Sequence, residues 1–173
     1  MLTDAQILNL LDQQNFAQIK EHIFSVANRM HEARDKFGQY PLHIAVSHEP
    51  IVSLLLQHNA DCNVADFEGT TPLHRACRDG LFSVIRLLLQ NEANINVQNY
   101  KGISPFHYLC RLTTEQIEEH KAIIQEFIER NVNVNCHSTT GETPFLFGLS
   151  SKFSSEIAEY LLKNGCDQSI QDG

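Results

Sequence analysis

Four segments of this chain share one pattern at near-regular spacing. They are Gly38, Pro41, Leu42, His43; Gly69, Thr70, Thr71, Pro72, Leu73, His74; Gly102, Pro105, Phe106, His107; and Gly141, Thr143, Pro144, Phe145. The prolines follow one another at steps of 31, 33 and 39 residues. A pattern recurring in phase is one supersecondary unit repeated, each copy burying its apolar face on the next, so the core is spread along a row of units.

A second anchor, a small or apolar residue before an Asn, keeps the same phase at Ala60 and Asn63, Ala93 and Asn96, and Val132 and Asn135, with Cys166 and Ser169 a weaker fourth. The four glycines fall where a tight turn calls for positive φ. Pro41, Pro72, Pro105 and Pro144 suit the first helical position, where the missing N–H has no intrahelical partner. Thr71, Ser104 and Thr143 precede three of them and can cap the helix. Small residues, Ala45 and Ala76, then allow close helix approach. Leu-rich stretches, Leu54 to Leu56, Leu87 to Leu89 and Leu161 with Leu162, supply a second helix per unit.

On these residues the chain resembles the ankyrin repeat family, whose unit of about 33 residues carries a Thr-Pro-Leu-His turn. The resemblance implies an all-α solenoid of stacked helix-turn-helix units joined by β-turn or hairpin fingers. It implies repeats over residues 35–65, 66–98, 99–137 (with an insertion) and 138–173, the last including the start of a further finger. Residues 1–34 read as a half-degenerate N-terminal capping pair. There Thr3 with Gln6 can form a capping box, and Ile7, Leu8, Leu10 and Leu11 give an apolar face. Ile170 to Gly173 match the opening of another finger, so the chain is expected to belong to a longer protein, the other reading being a helix pair that closes a short one.

Tyr40 stands where the first turn would have Thr, and the fourth turn has Leu146 in place of His and Gly148 in place of Ala. The fourth unit is therefore expected to be the least rigid. The first unit is two residues short between its helices, with Pro50 starting the outer one. In the third, Arg111 to Lys121 runs six residues longer, and Thr113 with Gln116 is expected to form a new capping box. That stretch reads as a longer helix or turn with a solvated acidic face, or as a partner contact through Glu115, Glu118 and Glu119.

No basic segment followed by an apolar core opens the chain, and no apolar run approaches about 18 residues, so a soluble monomer without a membrane role is expected. Five cysteines, an odd and scattered number without a Cys-x-x-Cys pair, point to reduced thiols and a cytoplasmic or nuclear setting. A net charge of −8 without a Lys/Arg stripe argues against nucleic acid.

The nine histidines raise catalysis or metal. In the resembling family, however, histidines at the positions of His43, His74 and His107 bridge neighbouring turns. Cys136 beside His137 has no second ligand pair at zinc spacing. No nucleophile-elbow, phosphate-loop, dinucleotide or zinc-protease motif occurs. No catalytic, cofactor or metal residues are expected, and the chain reads as non-enzymatic.

The family's protein-binding face comprises the fingertips and inner helices. Carried over residue by residue, it takes in Phe37, Phe67, Glu68, Tyr100 and Lys101 on the fingers, and Arg78, Asp79, Arg111 and Leu112 on the inner helices. Phe37, Phe67 and Tyr100 put an aromatic near the tip of three successive fingers, either as partner anchors or as rings folded back to stabilise the row. The mapped face is near neutral or slightly basic in an acidic chain. It suits a protein segment with apolar anchors and acidic residues. The expected role is a recognition or scaffolding module, the alternatives being a stand-alone ankyrin inhibitor or the targeting domain of an enzyme continuing past residue 173.

Overall fold

The computed structural model describes residues 34–150 and 155–167, together with Asn9. The capping helices read over residues 1–34, apart from Asn9 and Arg34, and the finger start at 170–173 lie outside the described residues. Among the described residues there are eight α-helices and no strand. They form four pairs. Helix α1 (Pro41–Ile44, prolonged by a 3-10 turn, Ala45–Ser47) precedes α2 (Glu49–Gln57), and α3 (Pro72–Asp79) precedes α4 (Phe82–Gln90). Helix α5 (Pro105–Arg111) precedes α6 (Ile117–Glu129), and α7 (Pro144–Leu149) precedes α8 (Ser155–Lys163).

Each inner helix begins at its proline, after an extended residue: Tyr40, Thr71, Ser104 and Thr143 have ψ of 162°, 166°, 165° and 163°. That backbone is what proline's ring forces on its predecessor. Ser104 Oγ accepts from the His107 N–H at 3.4 Å and Thr143 Oγ1 from Leu146 N–H at 3.3 Å. The Thr71 hydroxyl instead meets His74 Nδ1 at 2.9 Å. Helix α3 stops at Gly80, whose φ of 67° no L side chain adopts cheaply.

Inner helices pack on inner helices and outer on outer. Leu73, Ala76, Cys77, Phe106, Leu109 and Cys110 from the inner row meet Ile85, Leu88, Ile123, Ile124 and Phe127 from the outer row, all fully buried. Phe106 and Phe127 stack at 6.1 Å between ring centroids across this seam. Beyond each outer helix, Asn63, Asn96 and Asn135 tie the return loops together. Their Oδ1 atoms accept from the N–H of Asn94, Asn133 and Asp167, each at 2.7 Å, while Asn135 Nδ2 donates to Gly165 O at 3.0 Å.

Two irregular units depart from expectation in detail. In the first, Glu49 opens the outer helix and Pro50 is its second residue, still within the turn where no N–H is needed. In the third, the expected Thr113 and Gln116 capping box does not form: α6 starts at Ile117 with Gln116 as an uncapped N-cap residue, and Thr114 Oγ1 accepts from the Gln116 N–H at 3.1 Å. The short Thr114 turn satisfies that donor one residue later than the sequence spacing implied. The insertion is split between this turn and an α6 of 13 residues against 9 in α4. His120, fully buried on α6, pins the longer helix by donating from Nε2 to Leu109 O at 2.9 Å, with its ring stacked on Phe82. Glu119 pairs with Arg86 at 3.0 Å and Lys121 with Glu156 at 3.0 Å, joining successive outer helices by exposed ion pairs of modest worth.

Candidate functional site: the fingers and concave face

Among the described residues each finger is closed by one side chain three residues ahead of its glycine. Asp35 Oδ1 accepts from the N–H of Phe37 and Gln39, both at 2.8 Å, and Asp66 Oδ1 from Glu68 and Thr70, both at 2.9 Å. Asn99 Oδ1 accepts from Lys101 and Ile103 at 3.0 and 3.1 Å, and Ser138 Oγ from Thr140 and Glu142 at 3.3 and 3.2 Å. These four residues did not emerge from the sequence reading. Their signal was there, as Asp, Asp, Asn and Ser at a fixed offset before Gly38, Gly69, Gly102 and Gly141.

The fingers are joined edge to edge. Phe67 N–H donates to Phe37 O at 3.2 Å, Tyr100 N–H to Glu68 O at 3.0 Å, and Thr139 N–H to Lys101 O at 2.9 Å. This close approach is why the finger residues beneath must be glycines: a Cβ on Gly38 would stand 2.5 Å from the Phe67 ring. Phe67 thus lies across Gly38 and Tyr100 across Gly69, as the folded-back reading has it. Their outer faces still meet water, with Phe37, Phe67 and Tyr100 at 56%, 62% and 76% exposure. Lys36 Nζ sits 5.0 Å over the Phe37 ring. Thr70, next to the Gly69 turn, is buried, and its carbonyl serves the next contact inward.

That contact is a row of histidines. The Nε2 of His43, His74 and His107 donates to the carbonyl oxygens of Thr70, Ile103 and Glu142 at 2.8, 3.0 and 3.2 Å. Their Nδ1 atoms accept from the N–H of Tyr40, Thr71 and Ser104 at 3.2, 3.1 and 3.1 Å. Since a carbonyl only accepts, the hydrogen is on Nε2. Burial, the largest influence, lowers all three, and pushes His43 and His74 down to about 4. Pro41, Pro72, Pro105 and Pro144 start the helices that carry this row. Leu146 in the fourth turn offers no such donor. Arg75, also unremarked in the sequence, braces the first two fingers, reaching Asp66 and Gln39 at 3.3 Å each.

On the inner helices the structure brings Arg78, Arg111 and Leu112 into one cleft, with Tyr108 and Thr113 beside them. Arg78 holds its neighbour Asp79 through Nε and Nη2 at 2.8 and 3.2 Å. Arg111 lies over the Phe147 ring, 5.1 Å from its centroid. Glu68 and Lys101 stay exposed on their fingers, apart from the cleft.

All five cysteines are unpaired. Cys77 and Cys110 are fully buried on successive inner helices, and burial raises both thiols far above their ordinary value. Cys136 Sγ lies 3.5 Å from Ser104 Oγ and 3.8 Å from His107 Nδ1, within the turn network. Among the described residues no three His, Cys, Asp or Glu side chains gather as a metal site, and no helix is long and apolar enough to cross a membrane.

No curated protein matches this chain. The family model for ankyrin repeats (3 copies) matches residues 12–99, reaching back into the region read as a half-degenerate opening unit. It stops before the unit with the inserted turn, although the finger geometry continues through Glu142. With that match over more than half of its residues, and with glycine-turned fingers, proline-started inner helices and bridging histidines in phase, the chain belongs to the ankyrin repeat family, whose members are generally non-catalytic protein-interaction modules.

Proposed function

We propose that this chain is a non-enzymatic recognition or scaffolding module that binds a partner protein through its fingertips and concave inner-helix face. The observation that supports this most is the row of Phe37, Phe67 and Tyr100, each of which is more than half exposed. Aromatic rings are the commonest energetic anchors of protein interfaces, and three in a rigid row lose little entropy on binding. The hydrogen bonds between fingers and the buried histidine row provide that rigidity. In this reading residues 1–34 cap the array, residues 35–65, 66–98, 99–137 and 138–173 form its repeats, and Glu68, Arg78, Asp79, Lys101, Arg111 and Leu112 complete the contact face. The partner segment carries apolar anchors and acidic residues, and the chain acts as a cytoplasmic or nuclear monomer.

The test is a pull-down from cell extract with the 173-residue protein and a Phe37→Ala, Phe67→Ala, Tyr100→Ala variant of equal helical circular dichroism. Partners lost from the folded variant are the expected result. Equal retention would move recognition to the acidic outer helices.

A further inference from the structure

Ring and charge sit side by side at the tips of the first three fingers. In each, the two residues before the glycine form the tip: Lys36 and Phe37, Phe67 and Glu68, Tyr100 and Lys101. All six are exposed. Their backbones are fixed by the closing side chains and by the hydrogen bonds from Phe67 N–H to Phe37 O and from Tyr100 N–H to Glu68 O. The fourth finger has Thr139 and Thr140 at its tip, and the row of rings and charges ends there.

The order along the row is specific. Charge changes sign at every finger, positive at Lys36, negative at Glu68 and positive at Lys101. Rings lie between them: Phe67 folds back over Gly38 and Tyr100 over Gly69, so one ring fills each gap, while Phe37 stays beside Lys36. Alternating charge serves the fold itself only where the charges meet. Here they do not, because among the described residues none of the three side chains takes part in an ion pair.

Spacing selects the shape that can read such a row. The fingers follow the stacked helices that carry them, about 8–10 Å apart. A β-strand shows one face every second residue, about 6.6 Å, and falls out of step. A polyproline segment returns every third residue, about 9 Å, but has nothing on that face to meet the rings in between. An α-helix returns every seventh residue, about 10.5 Å, and carries residues i+3 and i+4 on the same face midway.

We propose that the tips of the first three fingers receive an amphipathic α-helix of the partner protein. It carries an acid, a base and an acid at i, i+7 and i+14, and apolar residues at i+3, i+4, i+10 and i+11. The proposal rests on the fingertip part of the reading above and adds to it the conformation and charge order of the partner segment. The apolar residues meet Phe67 and Tyr100 and supply most of the affinity. The three charges set the register and exclude a helix of the opposite order, since exposed pairs contribute more to specificity than to strength.

A phage-displayed helix of Ala and Gln, randomised at those seven positions, tests this. It is selected in parallel on the 173-residue protein and on a Lys36→Glu, Glu68→Lys, Lys101→Glu variant, in which every sign is reversed. Wild type should enrich acid, base, acid with Leu, Ile or Phe between them, and the variant base, acid, base. Enriched peptides are resynthesised with a fluorophore and titrated by polarisation, all proteins being matched by circular dichroism. Each should bind the mismatched protein about tenfold more weakly than its own. Reversing the three charges on the peptide should do the same on wild-type protein, which keeps the test valid if the variant folds poorly. Proline at i+8, off the contact stripe, should abolish binding. No enrichment, the same charge order enriched on both proteins, affinity unmoved by reversing the peptide charges, or affinity unmoved by the proline overturns the proposal. If such peptides still lose affinity for a Phe67→Ala, Tyr100→Ala variant, the helix and its charge order fail and the fingertip reading stands. If that variant binds them unchanged, both fail.

Discussion

His74 donates from Nε2 to the carbonyl oxygen of Ile103 at 3.0 Å, a bond that reaches across 29 residues to the next unit. The same ring accepts at Nδ1 from the Thr71 N–H. Both nitrogens are used in the neutral form, and a proton on Nδ1 would set two N–H groups against each other.

Stability should therefore fall with acid. His43 and His74 ordinarily titrate near 6.5 and are pushed down to about 4, chiefly by burial. Between these values the unfolded chain binds protons that the folded chain refuses, so their contribution is complete above about pH 6.5 and is lost as pH falls toward 4. The slope is about 1.4 kcal/mol per pH unit for each histidine. Urea midpoints at pH 7, 6 and 5 should decline in step, and less steeply in a His74→Leu variant, which starts out less stable. A midpoint flat from pH 7 to 5 would contradict the argument.

Glu92 is the odd member of a set. The residue closing each outer helix has positive φ, and it is Asn59, Glu92, Asn131 and Gly165 in turn. Glu tolerates that backbone poorly, whereas Asn and Gly adopt it with less strain. The loop bond at this site is donated by Asn63 Nδ2 to the Glu92 carbonyl oxygen at 3.3 Å, and survives substitution. Glu92→Asn should raise stability by about 0.5–1 kcal/mol, read as a higher thermal midpoint. A lower one would show that the Glu side chain makes a compensating contact.

Gly38 and Phe67 separate strain from recognition. Gly38→Ala places a Cβ at φ 76° and against the Phe67 ring, and should cost about 1–2 kcal/mol. Phe67→Ala removes a ring that is mostly exposed, and should change stability by less than about 1 kcal/mol. If Phe67→Ala proved the more damaging of the two in chemical denaturation, the rings would serve chiefly to hold the row together.

Thiol accessibility follows the same geometry. Cys77 and Cys110 are sealed on inner helices, Cys62 and Cys166 are buried, and Cys136 is partly exposed. Burial raises all five thiols, Cys166 to about 12. A thiol reagent at pH 8 should label Cys136 first and leave Cys77 and Cys110 until guanidinium exposes all five. Early labelling of Cys77, mapped by peptide mass, would contradict the packing.

Sequence alone determined the phase of the units, the prolines that start the inner helices and the glycines that turn the fingers. These are local matters: a fixed φ, a missing N–H or a positive dihedral acts within five or six residues of its cause. The closing residues Asp35, Asp66, Asn99 and Ser138 were equally local and were legible at their offset. The tertiary structure alone decided the rest. Whether Phe67 projects or folds back depends on Gly38, 29 residues earlier. Likewise, Arg78, Tyr108 and Leu112 share a cleft because α5 stacks on α3 at a separation that no spacing rule encodes. The Thr113 capping box failed for the same reason: the anchoring of His120 on Leu109 sets where α6 can lie, and the turn before it adapts to that packing.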